Sequence, residues 1–391
     1  MSRRRVALVG SGIAGLSVAW DLQGLADITL FESSGHFGGH ARTVDVELEG
    51  RDGPVDTGFL VFNHRTYPGL TSMFDKLEVH TAPSDMSLSV QRPADRFEWC
   101  GNSLDTVFAQ RGNLLRPRFW GMLVDLMRFN RIATAAITGQ RPIEATLSLG
   151  DFLAVEAFGK AFRDDYLLPM VASIWSCPTE QMLQFPVASL LRFCHNHGLL
   201  QVTDRPQWRT VVGGSREYVS RIVRSMSDAR LNTPVRRVRR VPPHSGEAGV
   251  WVRTDQGEEC FDEVVLACHS PHALALLDAP AADERAVLGA IGYQRNTAVL
   301  HTDASLLPSR RKAWAAWNFE AGLRDGQHSV CLHYLLNRLQ PLPWSTPVIE
   351  TLNPLRWPAD ASVLDSHGFE HPVFDAAAVA AQQRLPSIQG R

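Results

Sequence analysis

Lysine is almost missing from this sequence: Lys76, Lys160 and Lys312 are the only three among 39 basic residues, so nearly all positive charge is arginine. That bias reads as genome composition. Charge of one sign is not in excess either. A formal net charge of -2 gives no electrostatic drive toward DNA or RNA, and no nucleic-acid partner is expected. Cysteine is sparse, and Cys100, Cys177, Cys194, Cys260, Cys268 and Cys331 include no C-x-x-C pair, as expected of buried thiols in a reducing compartment. No run of 18 apolar residues occurs, so no membrane-spanning helix is expected. Ser2-Arg3-Arg4-Arg5 before an apolar stretch imitates a secretory signal, but glycines and Asp21 interrupt it and no small-residue cleavage site follows. The expected location is cytoplasmic. A P-loop and a nucleophile elbow are missing too.

What is there points to a cofactor. The chain has 391 residues, 45% hydrophobic and 20% charged, which suffices for two or three folded domains. Val6 to Val9 reads as a buried parallel strand. Gly10, Gly12 and Gly15 follow as G-x-G-x-x-G, and from Ile13 to Leu25 the period turns helical, with Leu16, Ala19, Trp20 and Gln23 at helix spacing. Ile28 to Phe31 supplies a second strand, and Glu32 stands at its end. The glycines divide the work by geometry. Gly10 permits a tight turn, Gly12 lets a pyrophosphate approach the backbone, and Gly15 lets helix pack on strand. The backbone from Gly12 through Ile13 and Ala14 then faces the phosphates at a helix N-terminus. Glu32 accepts from both ribose hydroxyls, and its charge disfavours a 2′-phosphate. Dinucleotide binding is the reading. Gly38 and Gly39, just beyond the acid, allow the chain to fold back over pyrophosphate and flavin, with Arg42 offsetting phosphate charge. This selects FAD over NAD.

Gly10 to Gly15, Glu32 and the Gly38-Gly39 turn together resemble the flavin amine oxidase and phytoene desaturase superfamily, and Asp56-Thr57-Gly58 extends the match. The resemblance implies an α/β fold, a Rossmann-type FAD-binding domain with an inserted α+β substrate domain. It implies that Gly58 comes close to the flavin and that Val235 contacts adenine through its backbone. The family arginine directly after the double glycine is His40 here. Val55 to Leu70, Trp208 to Val219 and Val264 to Ser270 are similar to a bacterial subgroup of NAD/FAD-binding proteins. That subgroup resembles the flavin domain preceding plant cyclopropane fatty acid synthases, which points to acyl lipids and to a lipid-modifying enzyme as partner. Members close with a strand, a glycine-rich FAD contact and a final helix. The resemblance therefore implies a closing segment of which residues 376–391 are the start.

The implied organisation is FAD domain over 1–75 and 205–275, and substrate domain over 76–204 and 276–375. Ser103 to Thr138 and Ser148 to Trp175 read as long helices. Leu231 to Val241, Val250 to Thr254 and Cys260 to Ala267 read as a meander with a turn at 242–249. Thr297 to Thr302 and Val330 to Leu336 read as strands. Arg236, Arg237, Arg239 and Arg240 are either a solvated face or a binding patch. Trp314, Trp317 and Tyr334 are either core or cavity wall. In Arg116 to Thr138, Arg116, Arg118, Arg128 and Arg131 accompany Phe119, Trp120, Met127 and Phe129, so the segment is either a core helix or a peripheral membrane contact.

A flavin takes hydride at its own ring, so few catalytic side chains are obligatory. Many amine-oxidising relatives carry a lysine where this chain has Asn296 to Leu300, which holds none. The expected function is an FAD-dependent oxidoreductase acting on a hydrophobic substrate of acyl-chain type. An NAD-dependent dehydrogenase and a catalytically silent accessory protein remain open alternatives. His64, His195, His197, His269, His301 and His333 are acid/base candidates by type alone. His195 and His197 lack a third ligand nearby, so no metal is expected.

Overall fold

Four short runs far apart in sequence assemble into one parallel sheet, in the order Glu263–Leu266, Arg4–Val9, Ala26–Phe31, Asp228–Arg230. The structure, a computed structural model, describes residues 3–144, 146–175, 179–201, 205–241, 249–324 and 327–390. Leu8 and Leu30 are fully buried, as strands covered on both faces require. Each such leucine contributes about 1.5–3 kcal/mol. Helix Ile13–Asp21 returns from the first strand to the second, and Leu16, Ala19 and Ile28 share a core with Tyr218 and Ile222 of helix Arg216–Arg224.

Beside this sheet lies a three-stranded meander, Val235–Arg240, Val250–Thr254 and Gly257–Phe261. The run expected as one strand over 260–267 is two. Residues up to Phe261 close the meander, whereas Glu263–Leu266 crosses to pair with Arg4–Val9. Parallel pairing with a buried strand outcompetes continuation of the hairpin edge. Residues 242–248 of the turn expected over 242–249, and Cys177, lie outside the described residues. The five described cysteines are unpaired, and three are buried.

The second region is a seven-stranded sheet ordered Val363–Pro372, Tyr293–His301, Ile349–Leu352, Gln327–Leu335, Trp317–Arg324, Leu88–Arg92, Phe97–Cys100. Helices pack on it through Phe119, Met122 and Ala172, and on one another through Phe129, Phe152, Phe162 and Leu190. The helical stretch from Ser148 is interrupted: Leu149–Val155 ends where Ala157 takes φ 52, a left-handed conformation that terminates helices. Likewise, only Pro117–Ile137 of the stretch from Ser103 forms a long helix, with proline in its first turn. That helix turns Phe119, Met122 and Phe129 into the core. Arg118 pairs with Asp165 at 2.9 Å, and Arg128 donates to the Glu156 and Ala157 carbonyls. Phe119 and Phe129 are thus unable to enter a lipid boundary, because the 3.6-residue period points them inward. Trp120, Val124 and Met127 remain exposed. Among the described residues, no helix is long and apolar enough to cross a membrane.

Candidate functional site

At the carboxyl ends of the parallel strands the chain builds a glycine-walled crevice, where such sheets take ligands. Gly10 donates to the Phe31 carbonyl at 2.9 Å and turns with φ 101. Gly15 packs so tightly that a Cβ there would stand 2.0 Å from the Gly10 oxygen. Gly12 caps the helix without a side-chain hydrogen bond, and a Cβ on it would meet nothing within 4 Å. Ile13 and Ala14 lie exposed on the first turn. The unfilled space at Gly12 and the uncapped N–H donors fit a pyrophosphate. Gly38 donates to Ser11 Oγ at 3.0 Å, and a Cβ on Gly39 would come within 3.2 Å of the Gly12 Cα. The two glycine turns therefore cross at contact distance.

Glu32 is buried beside them. Its carboxylate accepts from Ser11 N at 3.0 Å, Ser11 Oγ at 2.5 Å and Ser34 N at 2.8 Å. Burial pushes its pKa up, but these bonds from Ser11 and Ser34 outweigh burial and hold the carboxyl below its ordinary value. Segment 230–235 runs alongside: Glu32 N donates to the Arg230 carbonyl, and Thr233 N donates to the Glu32 carbonyl. Buried Val235 follows at the start of its strand. Glu32→Ala is expected to weaken FAD binding by roughly 1–3 kcal/mol, the scale of a lost charged hydrogen-bond partner. Fluorescence titration of the apoprotein measures it, and an unchanged affinity removes Glu32 from the site.

Arg42 stands elsewhere than expected. Its Nη1 donates to Asp365 at 2.8 Å and to Thr57 Oγ1 at 3.1 Å, so its charge is paired with a carboxylate of the protein. Gly58 backs the same loop: a Cβ there would lie 2.0 Å from the His40 oxygen and 3.1 Å from the Phe369 ring. His40 stacks on Phe369 at 4.7 Å, with His371 at 5.5 Å and His269 at 6.1 Å. Burial lowers all three imidazoles, His371 to about 4, with repulsion from His269 adding at His40, from His272 at His269, and from His40 and His269 at His371.

From Thr57 and Gly58 a cavity of ≈ 430 Å³ extends between the two regions, within the roughly 300–1,000 Å³ of small-molecule sites. Its wall is chiefly apolar and aromatic, including Phe59, Leu88, Trp175, Trp317 and Tyr334. Trp314 packs instead with Leu307 and Leu335. The polar groups on the wall include His197, His371 and Glu350. Burial raises Glu350 well above the ordinary carboxylate value, Arg42 opposing and Asp365 and Asp56 adding to the rise. Asn296, at the start of the stretch where amine-oxidising relatives carry lysine, hydrogen-bonds His371 at 2.8 Å.

His301 shares Thr351 with His333, which meets Glu320 at 2.8 Å. Burial lowers His333, but Cys331 and Glu320 outweigh it and push it up to about 9. Arg236, Arg237 and Arg240 pair with Asp255, Asp278 and Glu284, and Arg239 lies over Trp251, so the basic run is no binding patch. Two groups have metal-ligand spacing among the described residues, His269-His272-Glu370 and Glu320-Cys331-His333, and neither contains His195 or His197. Glu350, Asp365, His367 and His371 went unpredicted. Their only local signal is period two: Asp365, His367, Phe369 and His371 share one face of a strand.

The family model for flavin-containing amine oxidoreductases matches residues 13–302. No curated protein matches the chain by sequence. Among solved structures, the chain is similar to a CLA-producing fatty acid isomerase from P. acnes, at 15% identity and TM-score 0.67, covering 99% of this chain and 92% of that one. It is also similar to cyclohexylamine oxidase from Brevibacterium oxydans IH-35A, at 14% identity and TM-score 0.61, covering 94% and 84%. A third likeness is to putrescine oxidase, at 16% identity and TM-score 0.58, covering 90% and 75%. At these identities the likenesses establish the fold.

Proposed function

The chain belongs to the family of flavin-containing amine oxidoreductases and is an FAD-dependent oxidoreductase, and on that premise we propose that its substrate is a hydrophobic molecule of the lipid acyl-chain class. The observation that carries this reading is the cavity leading from Gly58, walled mainly by apolar and aromatic side chains. Such a wall favours a chain of methylenes, each buried CH₂ contributing about 0.8 kcal/mol. The stretch Asn296 to Leu300, on which many amine-oxidising relatives carry a lysine, holds none, which supports a substrate other than an amine. A solved structure of the same fold belongs to a fatty acid isomerase, which is consistent with an acyl chain in this cavity.

FAD supplies a two-electron acceptor for hydride. The chain's own residues do the rest. With FAD bound, Gly10, Gly12, Gly38 and Gly39 would form the cradle for its pyrophosphate and Glu32 would meet the ribose, while Thr57 and Gly58 border the cavity. Phe59, Trp317 and Tyr334 hold the substrate and exclude water. Anaerobic mixing of the flavin-loaded protein with unsaturated fatty acids, acyl esters and primary amines tests the proposal. Bleaching of the flavin absorbance by the acyl compounds alone is expected. Bleaching by amines alone overturns it.

A further inference from the structure

Oxidation of a CH–CH unit releases one hydride and one proton. The family's flavin accounts for the hydride and its electron pair. The proton needs a base inside an apolar cavity, and only particular positions on the wall offer one.

Glu350 lies on Ile349–Leu352, in the interior of the seven-stranded sheet, between Leu300 and Tyr334 on the neighbouring strands. Its Oε1 is buried and makes no hydrogen bond. An unsatisfied buried carboxyl is destabilising, so an acid retained on a cavity wall marks a candidate for function. The facing polar atom is His367 Nε2 at 3.6 Å, equally without a hydrogen bond. On the far side of that ring, Nδ1 lies 3.3 Å from both Asp365 Oδ2 and Arg42 Nη1, and the path uses the tautomer whose Nδ1–H faces Asp365. Arg42 pins Asp365 in place at 2.8 Å. Along this line side-chain exposure climbs from 4% at Glu350 to 11% at His367 and 24% at Asp365. The line leads from the cavity outward.

We propose that Glu350, His367 and Asp365 form a proton path from the substrate cavity to the surface, with Glu350 as the group that takes the proton released when the substrate is oxidised. The inference rests on the cavity being the oxidising site. In the step, the substrate C–H bond breaks and its electron pair stays on carbon, forming the new double bond as hydride leaves the neighbouring carbon. The hydrogen bonds to Glu350 Oε1. His367 then accepts that proton at Nε2 and releases the one at Nδ1 to Asp365, which passes it to water. Glu350 returns to the carboxylate, and the imidazole regains its first tautomer when its ring protons re-equilibrate.

The base form must be the carboxylate. Burial, together with Asp365 and Asp56, makes that form scarce at low pH and strongly basic once formed. The charged groups that bear on its titration are Arg42, Asp365 and Asp56; Tyr334 on the adjacent strand feels its charge, and His197 and His371 are titratable groups of the same cavity wall. The oxidation rate is therefore expected to rise with pH along a limb displaced above the usual carboxylate range.

Two measurements on the flavin-loaded full chain test this. Infrared titration without substrate is expected to reveal the C=O stretch of a protonated carboxylic acid at neutral pH, absent from Glu350→Gln and shifted in His367→Gln. Rapid-mixing flavin reduction by an acyl substrate is expected to slow by about 10²-fold or more in Glu350→Gln, the scale of a lost general base, with the displaced limb gone. Matched flavin content and circular dichroism establish that the variants fold. A Glu350→Gln protein that keeps the wild-type rate and limb overturns the proposal, as does a wild type without the carboxyl band. If no acyl compound reduces the wild-type flavin, the substrate reading fails. The infrared arm then still decides the path: a band moved by His367→Gln supports it, and an unmoved band overturns it.

Discussion

Gly12→Ala is expected to fold like the parent protein and to be purified without FAD, whereas Gly15→Ala is expected to fail in folding itself. The difference lies in what each added methyl meets. At Gly15 it would stand 2.0 Å from the Gly10 carbonyl oxygen and 3.1 Å from its carbon. Both are backbone atoms of the turn, so no side chain can swing away. Overpacking typically costs 1–3 kcal/mol, and a backbone clash this close puts the expected loss at about 3 kcal/mol or above. At Gly12 the backbone has φ -63 and ψ 175, open to any residue, and the methyl meets no protein atom within 4 Å. Its stability effect should stay within about 0.5 kcal/mol, as at ordinary surface sites. The methyl does occupy the space where a pyrophosphate would touch backbone. Urea midpoints and the visible absorption of the purified proteins check both halves. Flavin retained at parental levels by Gly12→Ala would show that the phosphates bind elsewhere, and a parental midpoint for Gly15→Ala would refute the packing account.

The nucleotide unit was legible because its parts are local. Strand, turn, helix, strand and acid occupy one continuous stretch from Val6 to Glu32, and each step has a residue type that sterics or hydrogen bonding demands. The Gly38-Gly39 crossing over Gly12 was foreseeable for the same reason. The cavity chemistry was not legible, because pairing over long separations creates it. Arg42 looked available for a phosphate, and its partner Asp365 lies 323 residues away. Glu350 occurs in a stretch without any local motif, and only the sheet order makes it a wall residue. Composition misleads where it is read without phase. The arginines at 236–240 left a solvated face and a patch open until their acids arrived from other elements, and 116–138 left core and interface open until helical phase turned Phe119 and Phe129 inward.

Asp56→Ala is expected to cost roughly 3–4 kcal/mol of stability, with loss of flavin following from the same lesion. The carboxylate is 1% exposed. It accepts from Ser215 N at 2.8 Å through both oxygens, from Ser215 Oγ at 2.8 Å and from Thr43 Oγ1 at 2.6 Å. Its backbone N–H donates to Gln340 Oε1 at 2.9 Å, and its carbonyl accepts from Gln340 Nε2 at 2.8 Å. Three segments meet at this residue: the hairpin of Thr43–Leu48 and Arg51–Asp56, the turn entering helix Arg216–Arg224, and the chain at Gln340. Gly213 and Gly214 take φ 84 and φ 87 in the turn that presents the Ser215 N–H. Truncation to alanine leaves that N–H and the two hydroxyls buried without their acceptor, at about 1–3 kcal/mol for each group left unsatisfied, partly offset where a hydroxyl rotates to a new partner. Thr57 and Gly58 follow directly, so slack at Asp56 displaces the edge of the cavity. Asp56→Asn should be milder, at about 1–2 kcal/mol, because one oxygen still accepts. Burial already pushes the Asp56 carboxyl above its ordinary value despite the bonds from Thr43 and Ser215, so removing the charge relieves part of the burial cost. Urea midpoints at constant slope measure the series. The expected order is parent, then Asn, then Ala. An alanine variant as stable as the parent would mean that the three segments are held together by apolar packing alone.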